Sequence, residues 1–148
     1  MLSQDFKEFI QLLNEHSVRY LVVGGYAVAL HGHPRNTKDL DISLWLDGEN
    51  ARRVVDTLKD FGFGSLAISR EDFLEPDQII QLGYPPVSID LLTTLPGVNF
   101  EECYASRVQV EVDQVLVDFI DLENLKKNKL ASGRLQDLAD LDNLSSVG

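Results

Sequence analysis

The sequence predicts an α/β fold, in its α+β-like form, with helices packed against a mixed β-sheet. Three observations predict it. Short apolar runs alternate with helix-compatible stretches along the first half of the chain. Two segments of the second half read as hairpins, which bring antiparallel neighbours into the sheet. The 148 residues are 44% apolar and 25% charged, as in an ordinary globular protein, and no repeat, linker or low-complexity tract divides them, so 1–148 is expected to be one domain.

Phe6, Phe9, Ile10 and Leu13 recur at helical spacing behind Ser3, an N-cap type, which predicts an opening amphipathic helix of about four turns. "RYLVV" is a short apolar strand, and "GGYAVALHG" returns to a helix ended by Gly32. "KDLDISLW" is the second strand. A turn and a helix follow in "DGENARRVVDTLKDFG", with Val54, Val55 and Leu58 inward and Gly62 as the stop. Strands are expected at 78–82 and 87–93 about a turn in "GYPP". "VQVEVDQVLVDFI" suggests a further hairpin about Asp113 and Gln114, although Asp-Gln is a poor turn signal. The tail, about 121–145, holds two helical segments broken near Ser132 and Gly133, with Leu135, Leu138 and Leu141 at core spacing, extended by Leu144.

Composition excludes several classes. A net charge of -11 repels phosphate backbones, so extended nonspecific nucleic-acid binding is not expected, although a local basic pocket is compatible with it. No apolar run is long enough to span a bilayer, and the acids within "MLSQDFKEFIQLLNE" mark it as mature structure and not a leader. The single cysteine, Cys103, excludes an internal disulfide and fits a reducing, cytoplasmic setting; it reads as buried filler.

The chemistry lies in the acids that interrupt apolar strands. Alternation puts Asp39 and Asp41 on one strand face, about 7 Å apart, with Leu40 and Ile42 on the other. That pair alone fits a half-exposed face equally well. Asp90, inside "VSIDLLT", shifts the balance: if that strand neighbours 38–44, Asp90 approaches the pair from the side. Three convergent carboxylates suit Mg²⁺ or Mn²⁺, hard cations that prefer oxygen ligands. Gly24 and Gly25, between a strand and a helix, permit phosphate oxygens to approach free backbone N–H groups, or simply make the turn. Neither a P-loop nor a G-x-G-x-x-G pattern is present.

Together, "VVGGYAVALHG", "RNTKDLDI", "VSIDLL" and, more loosely, "KLASGRLQDLADL" resemble the DNA-polymerase-beta-like nucleotidyltransferase superfamily. The likeness is to its small single-domain branches, including the abortive-infection and toxin–antitoxin nucleotidyltransferases. The resemblance implies a short twisted sheet with helices against it, a nucleoside triphosphate such as ATP as donor, and divalent ions. It makes Asp39 and Asp41 the paired metal ligands, Asp90 the third carboxylate and base or metal bridge, and Gly24 and Gly25 the triphosphate turn. Many active members carry Gly-Ser at that turn, and Gly25 removes the hydroxyl. The acceptor hydroxyl, on protein, an RNA 3′ end or a small molecule, is left open. Two other classes stay open with it: a nucleotide-binding protein without turnover, and one subunit of a toxin–antitoxin-like complex with a protein partner.

Arg35 and Lys38 stand before the second strand, as triphosphate partners or as solvated loop charges. Lys129, Arg134 and Asp137 echo a "K…GR…D" feature of the family: the two cations would clasp phosphate and Asp137 would orient Arg134, while Asp137 and Asp140 also fit a solvated helix face. His31 and His33 are expected to pack a loop, and Trp45 and Tyr84 to be core and turn residues.

Overall fold

The structure is a computed structural model that describes residues 2–32, 38–64, 67–84 and 87–147. Arg35, His33 and the two prolines of "GYPP" lie outside the described residues. Helix α1 (Gln4–Glu15) begins where the sequence places it: the Ser3 hydroxyl accepts from the Phe6 N–H, and Phe6, Phe9, Ile10 and Leu13 are buried. Strand β1 (Tyr20–Val23) is buried along its whole length and runs directly into helix α2 (Gly24–Leu30). Strand β2 (Leu40–Leu44) and helix α3 (Gly48–Leu58), capped by Asp47, follow. The chain leaves α3 through a wide turn at Lys59–Phe63, where Gly62 adopts φ 100°.

Strands β3 (Ile79–Tyr84) and β4 (Val87–Leu92) pair antiparallel, as do β5 (Val108–Val112) and β6 (Val115–Phe119), so both expected hairpins form. The poor turn signal succeeds because Asp113 and Gln114 both take left-handed backbone, φ 52° and 71°, as a type I′ hairpin turn demands. Asp113 also accepts from the Leu2 N–H. The tail forms helices α5 (Leu122–Ser132) and α6 (Leu135–Val147), joined through Gly133 in left-handed conformation. Helix α4 (Phe100–Ala105), capped by Asn99, and a short 3₁₀ turn at Arg70–Phe73 were not expected.

The six strands form one mixed sheet in the order β3-β4-β2-β1-β6-β5. β1 lies antiparallel to β2 and parallel to β6, while β2 lies parallel to β4. One face carries Val22, Ile42 and Leu91, which are register neighbours and almost inaccessible. The other face carries Val23, Asp41 and Asp90. Among the described residues, no helix is long and apolar enough to cross a membrane.

Two readings of the tail fail. Leu135 is 88% exposed and Leu138 43% exposed, so they are not core; Leu144 is. Asp137 and Asp140 are each 1% exposed, so they do not form a solvated face. The inward face of α6 is polar where it meets Lys129 of α5, and a leucine period cannot report a partner that sits on another helix.

Candidate active site

The crossing of β1, β2 and β4 builds the site. In the parallel ladder Asp41 stands opposite Asp90, and in the antiparallel ladder it stands opposite Val23, the residue before Gly24. Gln81 of β3 flanks Asp90 on its other side. Asp39 lies one residue before β2, where its carboxylate accepts from the buried Ser88 hydroxyl at 3.0 Å. Gln81 in turn donates to Ser88 at 3.4 Å.

A cleft of about 630 Å³ receives Gly24, Gly25, Asp39, Asp41 and Asp90 on one side and Lys129 and Arg134 on the other. Seven of the nine positions singled out in the sequence for metal or nucleotide therefore line one cleft. Lys38 is exposed and outside that lining. The sequence did not single out Asp77, Thr94, Asn128 or Gln136, which also line it. Ser88 was missed as well, although it shares a strand face with Asp90 two residues on and is the only other polar residue inside "VSIDLL".

Gly24 is required twice over. Its φ is +65°, and a Cβ there would overlap the Asp41 carboxylate. The turn expected to admit phosphate is first of all the room that Asp41 occupies. On the far side, Gly97 at φ +79° lets the loop after β4 close on Ala131 and Lys127 of α5, and the Pro96 carbonyl accepts from Asn128.

The acids of the cleft divide by environment. Burial, then the charges of Asp90 and Asp39, push the Asp41 carboxyl up to about 7, and the Lys129 charge only partly opposes them. Asp41 and Asp90 share a hydrogen bond, while Asp90 Oδ1 is buried with no hydrogen-bond partner among the described residues. Burial also raises Asp137, but hydrogen bonds from Arg134 and Lys129 outweigh it and hold that carboxyl below the usual range. Lys129 is 4% exposed and pairs with Asp137 at 3.2 Å and Asp140 at 3.0 Å. Arg134, whose side chain is 79% exposed, is held by Asp137 at 2.7 Å, so the expected orienting role of Asp137 has its geometry.

A divalent cation fits this donor set in charge and in the orphaned Asp90 oxygen. Among the described residues, however, no three acids, histidines or cysteines converge on one metal position. Asp39 accepts from Ser88, so a cation drawing on all three acids would share that carboxylate with the hydroxyl. Elsewhere, His31 bonds the Ile120 carbonyl at 2.8 Å in a loop-packing role, and burial pushes the Cys103 thiol up to about 11, which leaves it inert.

The mixed sheet thus presents acids from adjacent strands to a cleft whose far wall, the α5–α6 hairpin, brings Lys129 and Arg134 to it. The chain belongs to the family described as nucleotidyltransferase of unknown function (DUF6036), whose profile matches residues 2–147. Solved structures share the fold at low identity. An antigenic nucleotidyltransferase-like protein from Paracoccidioides brasiliensis is 20% identical with a TM-score of 0.57, over 99% of this chain and 77% of that one. The lincosamide antibiotic adenylyltransferase LnuA, in a lincomycin-bound structure, is 17% identical with a TM-score of 0.58, over 100% of this chain and 99% of that one. A candidate nucleotidyltransferase from Thermotoga maritima (TM1012) is 18% identical with a TM-score of 0.59, over 95% and 90%. No curated protein matches the chain by sequence.

Proposed function

We propose that this chain transfers a nucleotidyl group from a nucleoside triphosphate to a hydroxyl acceptor, assisted by Mg²⁺ or Mn²⁺ at Asp39, Asp41 and Asp90. The observation that carries the reading is the register pairing of Asp41 with Asp90, two crowded acids with no ion pair among the described residues, across a cleft from Lys129 and Arg134. When bound, the divalent ion supplies neutralisation of charge on the phosphates and acidifies the attacking hydroxyl. The acceptor oxygen bonds to the α-phosphorus, the bond to the β-phosphate oxygen breaks, and pyrophosphate leaves. Asp90 Oδ1, buried and unpartnered, takes the acceptor proton. Arg134, exposed and steadied by Asp137, pairs with the triphosphate. Lys129, already committed to two aspartates, acts through its field on Asp41 and not as a direct clasp. A small-molecule acceptor is within the range of this fold, since one neighbour is a lincosamide adenylyltransferase.

Each of four α-labelled triphosphates, incubated with Mg²⁺ or Mn²⁺ in lysate, tests the proposal. Label appearing in protein, RNA or a small molecule supports it and names the acceptor class. No transfer and no nucleotide binding would overturn it. Gly25 and the tethered Asp39 favour a second reading, a nucleotide-binding protein without turnover, which predicts affinity with no pyrophosphate release. The exposed Leu130, Leu135 and Leu138 favour a partnered form of either, as in a toxin–antitoxin-like complex, which co-purification from the host tests.

A further inference from the structure

A second pocket, about 420 Å³, opens at the other end of the strands that carry the carboxylates. Arg19 precedes β1 and Trp45 follows β2, joined by a backbone hydrogen bond from the Trp45 N–H to the Arg19 carbonyl. Alternation puts both on the face that carries Val23 and Asp41. Trp45 lies four residues along β2 from Asp41, about 13 Å, so this pocket is separate from the cleft.

Its cations are held in an unusual way. The Arg19 guanidinium sits over the Trp45 ring at 4.9 Å and over the Tyr104 ring at 5.6 Å. Arg107 sits 4.0 Å from the centroid of the same Tyr104 ring. Arg52, Arg53, Arg107 and Arg134 all pair with carboxylates, as a chain with 24 acids and 13 Lys and Arg makes easy. Among the described residues the Arg19 guanidinium has no such partner and no hydrogen bond; it is stacked and not paired. A guanidinium fixed by two rings keeps its N–H fork unspent and loses little freedom on binding. Arg53 lines the same pocket, tied to the Ser17 carbonyl at 3.1 Å. The one acid in the lining, Asp118, is neutralised by Arg107 at 3.4 Å, so it does not repel an anion. Gln109 adds an amide and Tyr104 an apolar wall.

We infer that this pocket is an oxyanion-binding site for a phosphate- or carboxylate-bearing small molecule, with Arg19 as the fork and Arg53 as the second charge. The site is local, since a net charge of -11 disfavours anions over most of the surface. It stands independently of the reaction in the cleft.

Trp45 is the only tryptophan, so its fluorescence reports directly on Arg19. The full-length protein is titrated with inorganic phosphate, pyrophosphate and citrate against NaCl of equal ionic strength, followed by Trp45 fluorescence and by calorimetry. Saturable binding, read at Trp45, is expected in wild type. Arg19→Ala should weaken it about tenfold or more, and Arg53→Gln by less. Preference for phosphate or for citrate identifies the source of the oxyanion. Absence of saturation beyond the NaCl control overturns the inference, and so does affinity unchanged in both arginine variants. Should Arg19→Ala lose its circular dichroism signature, Arg53→Gln alone decides.

Discussion

Two pairs of aspartates lie at the cleft, three of the four lining it and Asp140 packed behind, and their fates are opposite. Asp137 and Asp140 share the buried Lys129, with Arg134 added to Asp137, and Asp137 is held in its charged form. Asp41 and Asp90 have no ion pair among the described residues, and Asp41 is pushed up to about 7 by burial and by its acidic neighbours, with Lys129 only partly opposing them. Asp137 and Asp140 are the more deeply buried pair, yet they are the compensated one. A compensated pair is architecture, which joins α5 to α6. An uncompensated pair is a standing demand for a cation or a proton, and such a demand is what a catalytic site keeps unfilled until its ligands arrive.

The sharpest way to break the comparison is Lys129→Met. It leaves Asp137 and Asp140 buried without their shared cation, and a loss of about 3–5 kcal/mol in urea unfolding is expected. A loss below about 1 kcal/mol would show that the helical pair needs no compensation and would erase the distinction.

Asp41→Asn should do the reverse. The raised carboxyl binds its proton more tightly in the folded state than in the unfolded chain. Its contribution is therefore favourable at low pH and is lost as pH rises from about 4 through about 7. In chelator, the variant is expected to melt several degrees above wild type at pH 8 and with little difference at pH 4.5, while metal-dependent transfer disappears. Equal melting at pH 8 would mean that Asp41 is not under strain from Asp90 and Asp39.

Arg134→Ala separates the exposed cation from the buried one. Stability should change by less than about 1 kcal/mol, because most of the side chain is in water. The KM for triphosphate should rise about tenfold with little change in melting, which steady-state kinetics would read. The smallest effect belongs to Leu135→Ser and Leu138→Ser, each within about 0.5 kcal/mol if the exposed side of α6 carries no core. A cost of 2 kcal/mol or so, as for a buried leucine, would restore the leucine period as packing.

These contrasts also mark how far the sequence could be read. Period-two alternation was enough to give Asp41 its face, because that follows from the strand alone, whereas Asp39 stands one residue before β2. Apolar flanks were enough to identify β4 and its Asp90. The direct Asp41–Asp90 register, and Ser88 holding Asp39, depend on which strands become neighbours, and no local pattern encodes that. Helix α4 was missed since six residues leave too little period to detect, and its Asn99 cap follows a Pro-Gly that reads as loop. In α6 the leucines pointed the wrong way, as the helix turns its acids toward a lysine on a different helix.

The contact between Gly24 and the Asp41 carboxylate has a spectroscopic consequence. Since the carboxylate fills the space beside the Gly24 Cα, any ligand that draws Asp41 away empties that space and changes the shielding of the neighbouring backbone. The Gly24 amide resonance thus becomes a built-in meter of cleft occupancy. It should move on titration with Mn²⁺-free Mg²⁺, move again with nucleotide, and stay still when phosphate is added to the Arg19 pocket alone. Glycine amides fall in an uncrowded region of a nitrogen–proton correlation spectrum, and this chain has only 10 glycines, so the signal can be followed one residue at a time.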